Sequence, residues 1–74
     1  MSGRGRRRLK VWRVEKDRTQ HQVARLAGMS QTRYWQIENG EGSDVTLDEQ
    51  KAVAAALGVK VNEIDWPELG VRAS

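Results

Sequence analysis

Thr19–Gly40 reads TQHQVARLAGMSQTRYWQIENG, and the placing of its hydroxyls and glycines decides how the chain folds. Thr19 followed by Gln22 has the Thr-x-x-Gln form of a capping box, so a helix is expected to open with Thr19 as its N-cap. Val23, Ala24 and Ala27 give that helix a stripe to bury. Gly28 ends it in the left-handed conformation that a Cβ penalises. Ser30 then caps a further helix almost at once. Only Gly28 and Met29 separate the two caps, too few for an antiparallel hairpin. The helices must cross steeply, which is the helix-turn-helix arrangement.

Upstream, Leu9, Trp12 and Val14 lie near one face of a first helix running from Arg7 to about Lys16, with Trp12 in the core. Residues 1–6, MSGRGR, have nothing to bury and read as a flexible basic arm. Downstream, Gly40–Val45 is a loop by composition. Thr46-Leu-Asp-Glu49 is a second capping box, opening a helix that carries Leu47, Val53, Ala54 and Leu57 and stops at Gly58. Val61 and Ile64 anchor one last short helix over residues 61–65, before Trp66-Pro67. Trp66, with Leu69 and Val71, forms a C-terminal latch or a dimer contact. The expected architecture is all-α: a compact five-helix domain over residues 7–66, after a basic arm (1–6) and before a short tail (67–74).

Composition narrows the function. A chain of 74 residues makes one domain and buries only about 60–65% of its unfolded surface, so the core must be economical. There is no cysteine, which removes disulfides and thiolate metal sites and makes a reducing compartment the default. The one histidine, His21, has no second ligand in sight, so neither a metal centre nor a catalytic constellation is expected, and no cofactor. No apolar run approaches a membrane span, and the basic N-terminus is not followed by the apolar segment of a secretory signal. A cytoplasmic, nucleoid-associated protein is the expectation.

The net charge of +3 conceals a polarity along the chain. Residues 1–36 hold ten Arg and Lys against Glu15 and Asp17, whereas residues 37–74 hold three against eight acids. Such a split lets one surface meet a polyanion and another meet something else.

The third helix offers such a surface. At about 100° per residue, Tyr34, Ile37 and Glu38 share its core side. Thr32 and Gln36 point the opposite way, with Gln31, Arg33 and Trp35 on the flanks. A solvated helix face is ordinarily filled by Glu/Lys pairs, which this one lacks. Amides and hydroxyls are what major-groove reading needs: Gln can donate to and accept from adenine together, and Thr offers a hydroxyl or a methyl. Ser30 stands where the helix dipole is positive. Glu38 on the core side requires a fixed partner, because an unpaired charge is costly there.

Residues 9–66 resemble the lambda-repressor-like (Cro/C1/XRE) family of helix-turn-helix DNA-binding domains. The resemblance rests on Arg13, Thr19-Gln20, Val23-Ala24, Gly28-Met29-Ser30, Tyr34, Ile37-Glu38-Asn39-Gly40 and Leu57-Gly58-Val59. It implies five helices, the third in the major groove and the second across the DNA backbone. Gln31, Thr32 and Gln36 then fall on base-reading positions, and Arg33 is expected to read bases with them. Gln20, Ser30 and Asn39 fall among phosphate contacts, Gln20 also bracing the recognition helix. Arg13 and Glu38 match an ion pair joining the first helix to the third. Some residues depart from the family: Glu41 and Asp44 occupy a loop that is usually basic, and Arg4, Arg6, Arg7 and Arg8 would compensate by gripping phosphates from the arm. Arg18 and Gln50 replace usual apolar residues, for which Val14 and Leu26 would partly make up.

The expected function is a sequence-specific regulator of the phage or plasmid repressor type, occupying a two-fold operator in double-stranded DNA as a homodimer. One rival is an antitoxin or adaptor that binds a protein partner through the acidic C-terminal half. Another is a non-specific binder dependent on its arginines, with steep salt dependence. An enzyme is the weakest candidate, since no nucleophile–base pair can be assembled.

Overall fold

A computed structural model describes residues 6–67. In chain order it runs β1 (Arg7–Arg8), α1 (Leu9–Glu15), α2 (Gln20–Ala27), α3 (Gln31–Asn39), α4 (Leu47–Leu57), a 3-10 turn (Val61–Glu63) and β2 (Ile64–Asp65). The described residues therefore hold four α-helices rather than five. The expected fifth is a three-residue 3-10 turn that gives way to extended backbone at Ile64. The first helix also starts later than its apolar pattern suggested, because Arg7 and Arg8 form a strand.

That strand pairs in parallel with β2, Arg7 opposite Ile64 and Arg8 opposite Asp65. Two residues carry no periodicity, and the partners lie at opposite ends of the domain, so nothing local announces the pairing. It ties the start of the domain to its end, and Trp12 Nε1 reinforces the tie by donating to the Glu63 carbonyl at 2.9 Å. Trp66 Nε1 donates to the Val61 carbonyl at 3.2 Å and packs against the core, the geometry of a latch. Leu69 and Val71 lie outside the described residues.

Both capping boxes form. Thr19 Oγ1 accepts from Gln22 N at 3.1 Å while Gln22 Oε1 accepts from Thr19 N at 2.9 Å. Thr46 and Glu49 repeat the exchange at 3.1 and 2.9 Å. The helix stops also share one construction. Gly28 (φ +73°) allows Met29 N to donate to Ala24 O and Gly28 N to Arg25 O, which satisfies carbonyls at the end of α2 and turns the chain into Ser30. Helices α3 and α4 end in the same way. At the end of α1 the left-handed position is filled by Asp17, at φ +58°, the one non-glycine residue with positive φ among those described. Asp17 N donates to Val14 O and Arg18 N to Arg13 O, each at 3.0 Å.

The core is Leu9 from α1, Val23 and Ala24 from α2, Tyr34 and Ile37 from α3, Val53, Ala54 and Leu57 from α4, and Ile64 from β2. Ala24 is small where α3 crosses α2, and α2 also packs along α4. Three expected core residues are outside it. Val14, Leu26 and Leu47 are each about 60% exposed, so none of them makes up for Arg18 or Gln50. At about 100° per residue Val14 lies far round α1 from Leu9, and Leu26 far round α2 from Ala24, while Leu47 stands in the first turn of α4. Trp12 is half-buried, its ring flanked by Arg7 and Lys16 at 5.1 and 5.7 Å. Side chains of this kind bury a stem while keeping the charge in water.

Candidate nucleic-acid interface

The inward side of α3 is fixed by Glu38, whose side chain is only 4% exposed. Arg13 Nε donates to its Oε2 at 2.8 Å, Gln20 Nε2 to its Oε1 at 2.6 Å, and the Tyr34 hydroxyl to its Oε2 at 3.0 Å. One carboxylate thus joins α1, the first turn of α2 and α3. Burial alone would raise the Glu38 pKa, yet these hydrogen bonds, with Arg13 foremost, hold it below its ordinary value. The same site pushes Tyr34 up, through burial first and the adjacent carboxylate second. Arg13 is raised, chiefly by its hydrogen bond to Glu38. Buried charges of this kind are costly unless fully partnered, and here both carboxylate oxygens accept.

With one side anchored, the other is presented to solvent. Gln31 and Thr32 are exposed, Gln36 is half-buried and Trp35 is 41% exposed. Ser30 Oγ accepts from Arg33 N at 3.0 Å and so caps the helix. Asn39, at the far end, donates from Nδ2 to the Trp35 carbonyl at 2.9 Å and stays exposed.

Arg33, expected among the base-reading side chains, is instead engaged within the chain. Its Nε and Nη2 donate to the two oxygens of Glu49 at 2.8 and 2.7 Å. Nη1 and Nη2 also donate to the carbonyls of Ser43 and Asp44 at 3.1 and 3.0 Å. The guanidinium is a clamp between α3, the loop of residues 40–46 and α4, with four of its five N–H groups engaged within the chain. The Arg33 hydrogen bond is the main reason that the Glu49 carboxyl is held at about 2, against an ordinary 4.5. Sequence could not separate a flank arginine facing DNA from one facing a loop, because the loop's path is non-local.

The N-terminal arginines divide in the same manner. Arg4 lies outside the described residues, and Arg6 is exposed. Arg7 pairs with Glu15 and lies over Trp12, while Arg8 approaches Asp65 at 3.7 Å with most of its side chain in solvent. From Arg7 onward the basic stretch is anchored by the strand pairing and these contacts.

Two depressions flank α3 and α2. A groove of about 510 Å³ runs between the start of α1 and the outer end of α3, lined by Arg8, Lys10, Val11, Gln20, Trp35 and Asn39 among others. Lys10 makes no ion pair with any described residue, and its exposure leaves the ammonium free to meet an anion. A second hollow, along α2, is lined by Arg18, His21, Gln22, Arg25 and Leu26. The first groove, which holds Arg8 and Lys10 beside the α3 residues Trp35 and Asn39, suits contact with a phosphate backbone. Sequence reading missed Lys10 and Arg25, whose positions become informative only once α1, α2 and α3 are placed.

A family model described as a helix-turn-helix domain matches residues 6–66. The chain belongs to this helix-turn-helix family. That places it among DNA-binding domains of the kind its motifs resemble, and it points to a DNA-binding regulator. A search of curated proteins finds no match to the chain. Among the described residues, no helix is long and apolar enough to cross a membrane, and no group of three or more His, Asp or Glu could hold a metal ion.

Proposed function

We propose that this helix-turn-helix protein is a sequence-specific transcriptional regulator that binds double-stranded DNA as a dimer and acts as a repressor by occupying its operator. The observation that carries the reading is the two-sided character of α3. Its inner side is immobilised by the Arg13–Gln20–Tyr34–Glu38 network, and its outer side presents uncharged Gln31, Thr32 and Gln36. Rigid support behind adaptable hydrogen-bonding groups is what base reading requires.

Gln31, Thr32 and Gln36 are assigned to base edges. Ser30, Asn39 and Gln20 are assigned to the phosphates, with Lys10, Arg8 and Arg6 extending that contact; Arg4, outside the described residues, is assigned to phosphates from its charge alone. Trp35, on the rim of the Lys10 groove, is assigned to the sugar-phosphate backbone. Arg33 and Arg7 are structural. Dimerisation follows from reach: one helix reads only a few base pairs, so two half-sites about one helical turn apart multiply discrimination.

The test is alanine replacement of Gln31, followed by titration against a duplex and its single-base variants. The expected loss is about 1–3 kcal/mol, with discrimination relaxed at one or two base pairs. An equal weakening for every sequence would remove Gln31 from the base-reading set.

A further inference from the structure

Gln36 differs from its neighbours on the outer side of α3. Gln31 and Thr32 are exposed, whereas Gln36 is half-buried although it points away from the core. What covers it is the loop between α3 and α4. Gly42 lies so close that a Cβ there would stand 2.8 Å from the Gln36 Oε1 and 2.9 Å from its Cδ. The same point is 3.5 Å from Arg33 Nη1, so loop, arginine and carboxamide meet in one place. Gly42 has φ +79°, which no ordinary side chain adopts comfortably, and its missing side chain is the space that Gln36 fills.

The loop is not free to move aside. Arg33 grips the carbonyls of Ser43 and Asp44, the two residues after Gly42, and is itself fixed by both oxygens of Glu49. Glu49 is held in turn by the Thr46 backbone through its capping box. A chain of charge-assisted bonds thus runs from α4 through Arg33 to the loop that roofs Gln36.

We propose that Arg33 and Gly42 are specificity-determining positioning residues: the loop they fix holds the Gln36 carboxamide in one orientation before DNA arrives. The proposal rests on the reading of Gln36 as a base contact. An unrestrained Gln has three rotatable bonds, and ordering them on binding weakens affinity and blurs discrimination. With the rotamer set during folding, that cost is absent from binding, and a wrongly oriented amide cannot adapt to a wrong base. The arrangement also accounts for an acidic loop in a protein meeting a polyanion. The contribution of residues 41–44 is the geometry of their backbone, and the outward side chains of Glu41 and Asp44 play no part in it.

Two measurements test this. In the free chain, ¹⁵N relaxation of the side-chain amides should give Gln36 an order parameter approaching that of rigid backbone, about 0.8, with Gln31 below about 0.6. Equal mobility of the two would overturn the proposal without any DNA present. The second is a double-mutant cycle between Gly42→Ala and Gln36→Ala, read as affinity for a selected duplex and its single-base variants. Gly42→Ala should lower affinity and relax preference at the base pair read by Gln36 by about fivefold or more, and should have little further effect on that preference once Gln36 is Ala. Backbone strain at Gly42 is present in both backgrounds and cancels. Arg33→Lys, which loses the forked grip, should reproduce the relaxed preference. Additive effects in the cycle would overturn the positioning role. If Gln36→Ala alone left every base preference intact, the base-reading assignment would fall and the specificity role with it, while the relaxation result would still report whether the loop orders the side chain.

Discussion

Arg13 Nε lies 2.8 Å from Glu38 Oε2, and this bond ties α1 to α3 across 25 positions of chain. Because the Arg13 and Glu38 side chains are 14% and 4% exposed, loss of either partner strands a charge in a poorly hydrated place. Glu38→Ala should destabilise the domain by about 3 kcal/mol, and Arg13→Ala by a similar amount. A chain of this size holds roughly 4–11 kcal/mol in all, so either change takes a large part of it. Urea unfolding of each variant measures the loss, and a change under about 0.5 kcal/mol would place the pair with ordinary surface ion pairs.

Stability should depend on acid in a defined direction. Glu49 is held at about 2 by Arg33 and Glu38 is also depressed, so the folded state binds fewer protons than the unfolded one in the acid range. Their contribution is fully present above the ordinary carboxylate value near 4.5 and is lost as pH falls from there toward 2. The urea midpoint should therefore be flat between about pH 5.5 and 7 and fall steadily below about 4.5. Glu49→Gln should lower stability at neutral pH and remove part of the acid slope. An unchanged slope would mean that the Arg33–Glu49 bond does not persist in solution.

Asp17 occupies a left-handed position that glycine fills at the ends of the other three helices. Asp17→Gly relieves a Cβ penalty and adds freedom to the unfolded chain, and the first effect is the larger. The expected gain is about 0.5–1 kcal/mol, seen as a rise in Tm of a few degrees. A fall in Tm would show that the Asp17 side chain contributes something its backbone does not reveal.

The three tryptophans should separate on DNA binding. Trp12 and Trp66 are half-buried and donate to backbone carbonyls, while Trp35 is exposed on the rim of the Lys10 groove. Fluorescence change on adding duplex should come from Trp35 and vanish in Trp35→Phe. A signal surviving that substitution would place the DNA against another face.

The parts of this fold that sequence discloses are those built from neighbours. Thr19 with Gln22, Thr46 with Glu49, and the stop at Gly28 are each complete within a few residues, and each forms as the local chemistry dictates. Glu38 on the core side of α3 likewise demanded a partner from its own position. What stayed illegible depends on where distant segments arrive. The β1–β2 pairing rests on two residues at each end, Arg33 is diverted by a loop that folds back on it, and the exposure of Val14, Leu26 and Leu47 depends on which face of each helix meets a neighbour. The roof over Gln36 is illegible for the same reason, since Gly42 appears in the sequence only as another loop glycine.

The central claim is that α3 reads base sequence in double-stranded DNA. Selection from a randomised duplex pool at about physiological salt tests it most directly, because non-specific phosphate binding is weakened there. Base reading by α3 should yield a short two-fold consensus, with half-sites about one helical turn apart, that loses definition in Gln31→Ala. Retention of DNA without a consensus, or no retention at all, would contradict it.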